Sequence, residues 1–221
     1  MTGSLWHLAA AMALFLASHA VTATPRLRGA LVSRLGEAGY FLAYSLLSLA
    51  VLAWLVQAYA AAPYVPLWPQ APWTRWVPAA VMPAASLLLA AGFTTPNPFS
   101  LGPGGRRYDP ARPGILRLTR HPVLWALALW AGAHLFPNGT LSAVFLFGPL
   151  LLLALAGPRL LDVKRRRSLG AGWHALARLT ARPATLSLAE IGWRRLAGGL
   201  ILYLILIFLH PLIIGFSPLP F

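Results

Sequence analysis

Long apolar runs separated by short polar connections make up most of this chain, and the connections alternate between strongly basic and nearly uncharged. Six of the runs approach the roughly 20 residues that a helix rising about 1.5 Å per residue needs to cross the ~30 Å hydrocarbon core of a bilayer. They lie near Leu5 to Ala23, Tyr40 to Ala60, Thr74 to Phe93, His121 to Phe136, Leu141 to Leu161 and Leu196 to Phe216. The pattern predicts an all-α polytopic membrane helix bundle of about six transmembrane helices, or five if the short fourth run does not cross. No repeat stands out, so residues 1–221 read as a single transmembrane domain.

Composition agrees with that solvent. Hydrophobic residues make up 58% of the 221 positions and charged residues only 10%, too few to clothe a soluble surface. Every one of the 18 Lys and Arg residues except Arg75 falls in three of the connections. Arg26, Arg28 and Arg34 follow the first run, and Arg106, Arg107, Arg112, Arg117 and Arg120 follow the third. Arg159, Lys164 to Arg167, Arg178, Arg182, Arg194 and Arg195 gather between the fifth and sixth. Basic residues stay on the cytoplasmic side, which predicts an even number of spans, three basic loops inside and both termini outside the cytoplasm. Residues 1–20 carry no positive charge ahead of their apolar run, so the first run is expected to remain as an anchor and not to be cleaved.

The net charge of +14 does not point to nucleic acid, because the aromatic rings that would stack on bases sit in or beside the spans. Attraction of the basic loops to anionic lipid headgroups accounts for it, making the lipid bilayer the expected partner. Pro63, Pro66, Pro69 and Pro72 alternate with Tyr64, Trp68, Trp73 and Trp76 in a stiff outer connection whose rings suit the headgroup layer. The stretch from Thr94 to Arg120 is rich in Pro and Gly, with Gly102 to Gly105 among them. It reads as a cytoplasmic loop able to fold over a ligand pocket, with Arg112 to Arg120 a short interfacial helix. Ser187 and Glu190 have capping-box spacing, which predicts a helix from Leu188 through Trp193 into the last span. Arg159 to Arg182 reads as a basic surface segment with Trp173 as an interface anchor.

Chemistry narrows to histidine. The chain has no cysteine, which removes disulfides, thiolate metal sites and Cys nucleophiles together. Its four acids, Glu37, Asp109, Asp162 and Glu190, lie at or beyond span ends, which argues against paired-carboxylate hydrolysis and carboxylate-bridged metals. His7 and His19 fall on the first span, His121 and His134 on the fourth and His210 on the last, while His174 is in a loop. A neutral imidazole is the least costly ionisable group to bury and a ready ligand for haem iron. Haem b is the cofactor this pattern favours, with the five histidines of the three spans as its candidate ligands.

The run Arg120-His121-Pro122-Val-Leu-Trp125-Ala-Leu-Ala-Leu-Trp130-Ala-Gly-Ala-His134-Leu-Phe-Pro-Asn138-Gly139 resembles the NnrU family of bacterial membrane proteins. Ser18-His19, Arg28, Leu35-Gly36-Glu37, Leu146-Phe147-Gly148, His210-Pro211 and Gly215 extend the resemblance over nearly the whole chain. That family is named for a link to nitric oxide and nitrite reductase expression in denitrifiers, and it is related to 15-cis-zeta-carotene isomerase. The resemblance implies a multi-pass protein of the bacterial inner membrane, with haem b held by His19 and His134. It assigns no role to His121 or His210. The isomerase relatives carry a cysteine three residues before the second histidine; here that position is Ala131, so ligand exchange of that kind does not carry over.

Counting about 1.5 Å per residue from the basic ends puts His19 roughly 8 Å deep and His134 and His210 about 20 Å deep. By depth alone the matched pairs are His134 with His210, and His19 with His121. Besides a haem protein of nitrogen-oxide metabolism or membrane redox, three readings stay open. One is a haem-dependent carotenoid cis-trans isomerase acting on a long apolar substrate. Another is a membrane methyltransferase scaffold using S-adenosylmethionine, suggested by Arg-His-Pro but lacking an acid pair at Asp162 to Arg166. The last is a non-catalytic assembly or regulatory factor.

Overall fold

In the computed structural model residues 3–101, 104–183 and 187–220 are described; Gly102 and Pro103 of the Pro- and Gly-rich stretch lie outside them. Helices are α1 (Leu5–Ala23), α2 (Pro25–Ala61), α3 (Trp76–Thr94), α4 (Pro122–Leu135), α5 (Leu141–Leu169), α6 (Gly172–Ala177), α7 (Leu188–Ile191) and α8 (Trp193–Ile214). Among the described residues no strand forms, only one isolated bridge between Pro66 and Thr140. By length and composition α2, α3, α5 and α8 can each cross a membrane, and α1 and α4 are shorter apolar helices. This is the fold of a multi-pass membrane protein, and many of its large exposed side chains, such as Leu204, Phe208 and Leu212 on α8, are apolar as lipid contact requires.

The helices follow the apolar runs closely, and the differences have physical causes. The sequence leaves Arg26 to Arg34 as a basic connection, yet α2 begins at Pro25, because Leu27, Leu31 and Leu35 recur every fourth residue. At Gly36 the backbone leaves the helix with φ 70° and ψ 168°, a region open only to glycine, and the apolar part of α2 starts beyond it. Helix α5 runs on to Leu169, well past the expected end near Leu161.

The chain divides into two compact units, Met1–Pro69 with Gly139–Pro149, and Gln70–Asn138 with Leu150–Phe221. In the first unit α1 packs on α2, with Gly3 against the Ala61 backbone and Leu8, Ala11, Val51 and Leu55 buried. Thr140 caps the start of α5 by accepting the Ala143 N–H at 3.2 Å.

In the second unit α3 packs against both α4 and α8 at close range. A Cβ at Gly92 would stand 2.7 Å from Val123 of α4, and one at Gly199 of α8 would stand 2.7 Å from the Leu87 Cα. The core of this unit gathers at its basic end, where Phe99, Ile115, Leu116, Trp173 and Ile191 bury together with Leu88 and Ala91 of α3. Phe99, Ile115 and Leu116 of the Thr94 to Arg120 stretch are thus part of the core of this unit. Only Gly114–Arg117 of the expected Arg112 to Arg120 helix forms, as a single 3-10 turn.

Two other expectations are corrected at this end. Trp173 is not an interface anchor: it is 4% exposed, edge-on to Phe99 at 5.2 Å, with the Arg120 and Arg166 guanidinium groups over its ring. Ser187 does cap α7, accepting the Ala189 N–H at 3.3 Å, but the helix stops at Ile191 because Gly192 takes φ 88°. Glu190 does not complete the capping box; its carboxylate accepts from Arg117 Nε at 2.6 Å instead.

Candidate functional site

Three of the membrane histidines are held in the same way. Near the end of α1 the His19 ring lies against Phe15, and its Nδ1–H donates to the Phe15 carbonyl at 2.8 Å. On the last turn of α4 the Nδ1–H of His134 donates to the Trp130 carbonyl at 2.8 Å, while Asn138 Nδ2 donates to the His134 carbonyl at 2.7 Å. At the end of α8 Gly215 takes φ 86° and turns the chain back, so that the Phe216 carbonyl accepts from His210 Nδ1 at 2.7 Å. A carbonyl oxygen only accepts, so each Nδ1 carries the proton, and in the neutral form of each ring the lone pair lies on Nε2. Histidines that bind a metal through Nε2 adopt this tautomer.

The rings are not all one set. His134 and His210 belong to the second unit and lie within electrostatic range of each other, whereas His19 belongs to the first. His121 stands just before the first residue of α4 and His134 near its last, about 20 Å apart along the axis, too far to share one metal ion. His7 pairs with the Ser4 hydroxyl at 3.0 Å, and His174 is exposed.

His121 is held by a different device. Its side chain is 4% exposed and its Nε2 stands 2.9 Å from Asp162 Oδ1 of α5. The same carboxylate takes the Arg120 fork, with Nη2 at 2.9 Å from Oδ2 and Nε at 3.3 Å from Oδ1. Arg120 Nη1 also donates to the Thr180 hydroxyl at 3.4 Å. A polar knot therefore joins the start of α4, α5 and the segment after α6. Among the described residues the other ring nitrogen, Nδ1, has no hydrogen-bond partner. Asp162 as the common partner of Arg120 and His121 was missed by sequence reasoning; the scarcity of acids in so basic a chain was the available signal.

The rest of the basic end is equally built. Asn97 Nδ2 donates to the Arg120 carbonyl at 3.0 Å, and its Oδ1 accepts the Phe99 and Ser100 amides. Tyr108 donates its hydroxyl proton to the Leu176 carbonyl at 3.1 Å. Burial and the neighbouring Asp109 push its pKa up to about 12, against the pull of Arg117. Two cavities open nearby in the same unit. One of about 320 Å³ is lined by Leu88, Leu118, Thr119, Trp125 and Leu129. The other, about 390 Å³, is lined by Thr94, Pro96, Gly104, Arg106 and Arg107.

Among the described residues no three His, Cys, Asp or Glu side chains gather as a protein-only metal site would need. A porphyrin brings four nitrogen ligands of its own and asks the protein for one or two axial imidazoles, a demand that the Nδ1-tethered rings fit. Ala131 is fully buried and supplies no ligand atom.

No curated protein and no solved structure matches the chain. A family model described as NnrU protein matches residues 7–218, nearly the whole length. The chain belongs to the NnrU family.

Proposed function

We propose that this protein is a haem b protein of the bacterial inner membrane, serving nitrogen-oxide metabolism or another membrane redox task, with its basic loops facing anionic headgroups on the cytoplasmic side. The observation that carries the reading is the shared state of the histidine rings. In His19 and His134, the pair that the family resemblance assigns, each Nδ1–H is tied to a carbonyl of its own helix, so the lone pair lies on Nε2. The haem would supply one-electron chemistry at the iron. The chain's part is to present imidazole nitrogen in an apolar surround, with the ring orientation set before any cofactor arrives. His210 has the same tautomer and lies within electrostatic range of His134, which makes it the alternative partner.

The test is the absorption spectrum and pyridine haemochrome of protein purified from cells with ample haem. A Soret band lost in His134→Ala and in His19→Ala, but kept in His210→Ala, supports the assigned pair. Loss in His134→Ala and His210→Ala with retention in His19→Ala moves the second ligand to α8. Protein that stays colourless under haem supply overturns the proposal and leaves a membrane assembly or regulatory factor.

A further inference from the structure

We infer that the cavity at the end of α3 is a binding site for the phosphate of an anionic phospholipid headgroup, with Arg106 and Arg107 as its cationic fork. The inference deepens the lipid-facing part of the reading above and stands apart from haem.

Only four acids face 18 Lys and Arg residues, and three of the four are committed elsewhere: Glu37 to Arg28, Asp162 to Arg120 and His121, and Glu190 to Arg117. Asp109, the nearest acid in sequence, turns back to accept the Ala111 amide at 2.9 Å. Among the described residues neither Arg106 nor Arg107 forms an ion pair, so the anion that balances them comes from outside the chain.

Geometry gives that anion a place. Arg106 and Arg107 are the central residues of a tight turn closed by the Tyr108 N–H on the Gly105 carbonyl at 3.0 Å. Both ends of the turn are fixed. Gly105 lies so close to Pro98 that a Cβ there would stand 2.6 Å from the proline Cβ, and the Asn97 N–H donates to the Gly104 carbonyl at 2.8 Å. Tyr108 is edge-on to Phe99 at 5.7 Å and bonded to Leu176. The two guanidinium groups therefore spring from a held backbone over a cavity of about 390 Å³ that Thr94 and Pro96 complete. The C-terminal end of a helix normally repels an anion, but here Arg195 Nη2 donates to the Thr94 carbonyl at 3.2 Å and offsets it.

Position favours a lipid over a free ion. The cavity adjoins the last turn of a helix able to cross the membrane, where headgroup phosphates lie, and Phe93 and Leu101 beside it are exposed apolar side chains. Planar guanidinium groups pair with phosphate oxygens through two parallel hydrogen bonds, which suits a phosphodiester.

The experiment compares retention of phosphatidylglycerol over phosphatidylcholine by native mass spectrometry of the full chain, released from nanodiscs holding equal amounts of both. Near a membrane each basic residue contributes about 1 kcal/mol, so R106Q/R107Q should lower phosphatidylglycerol retention roughly thirtyfold. R26Q/R34Q, which removes the same charge from a segment that lines no such cavity, should lower it measurably less than R106Q/R107Q. R106K/R107K should fall between wild type and R106Q/R107Q, since charge stays and the fork goes. Equal losses in the two Gln variants, or no loss in R106Q/R107Q, would overturn the site. Displacement of the lipid by millimolar inorganic phosphate would overturn the lipid assignment in favour of a free anion. An unchanged circular dichroism spectrum, and an unchanged Soret band if haem is bound, separates these outcomes from misfolding and from failure of the haem reading.

Discussion

The two ends of α4 hold histidines by opposite means. At the basic end His121 is fixed by residues from other elements, with Asp162 of α5 on its Nε2 and Arg120 on the same carboxylate. At the other end His134 is fixed by its own helix, through Nδ1 and the Trp130 carbonyl one turn back. The first arrangement uses the imidazole to join elements. The second sets the tautomer of the ring from within its own helix. One helix thus carries a histidine hydrogen-bonded through Nε2 to a neighbouring helix and another hydrogen-bonded through Nδ1 to its own.

Breaking the Asp162 knot should have the largest effect on stability. Asp162→Ala leaves the Arg120 guanidinium and the His121 ring without their shared acceptor at a site where the partners are 21%, 4% and 17% exposed. Loss of one partner of so enclosed a pair costs about 3 kcal/mol or more, which denaturant titration in detergent would register. In the same assay His134→Ala should cost markedly less. An unfolding midpoint unmoved by Asp162→Ala would erase the contrast between the two ends.

Arg120→Lys sharpens the same point at smaller scale. Lysine keeps the charge but not the fork to Asp162, the reach to Thr180 or the stacking over Trp173. We expect a loss of about 1–2 kcal/mol, between wild type and Asp162→Ala. A Lys variant as stable as wild type would show that charge alone holds the knot.

Much of the fold was legible because crossing a membrane demands a length of apolar sequence that few other pressures produce. The expected first run coincides with α1, one of the two shorter apolar helices, and the apolar part of α2 beyond Gly36 covers the second. What escaped was whatever depends on partners distant in sequence. Trp173 among arginines reads as a surface anchor until Phe99 is known to meet it, and Glu190 reads as a cap until Arg117 is known to reach it. The histidines were legible as candidates by residue type alone. Their sorting by nitrogen was not, since it turns on a helical carbonyl in one case and on Asp162 in the other.

The smallest effect expected is at Tyr108, which packs against the core at the basic end. Tyr108→Phe removes one hydrogen bond, to the Leu176 carbonyl, at a cost of about 1 kcal/mol. Because the folded pKa is raised to about 12 from 10.0, the unfolded chain loses this proton first on alkalinisation. Its stabilising contribution is whole below pH 10 and lost as pH rises through about 12. Wild type should therefore lose more stability than Tyr108→Phe between pH 9.5 and 11.5, as melting curves would record; parallel losses would contradict the sign.

The central claim is that the Nδ1-tethered rings, and not His121, serve a bound iron. Its most direct test is the Soret absorbance per mole of folded protein in His134→Ala and His121→Ala beside wild type. The account predicts that the band disappears in His134→Ala and survives in His121→Ala. A band that survives in His134→Ala, or that His121→Ala abolishes in protein still folded, would contradict it.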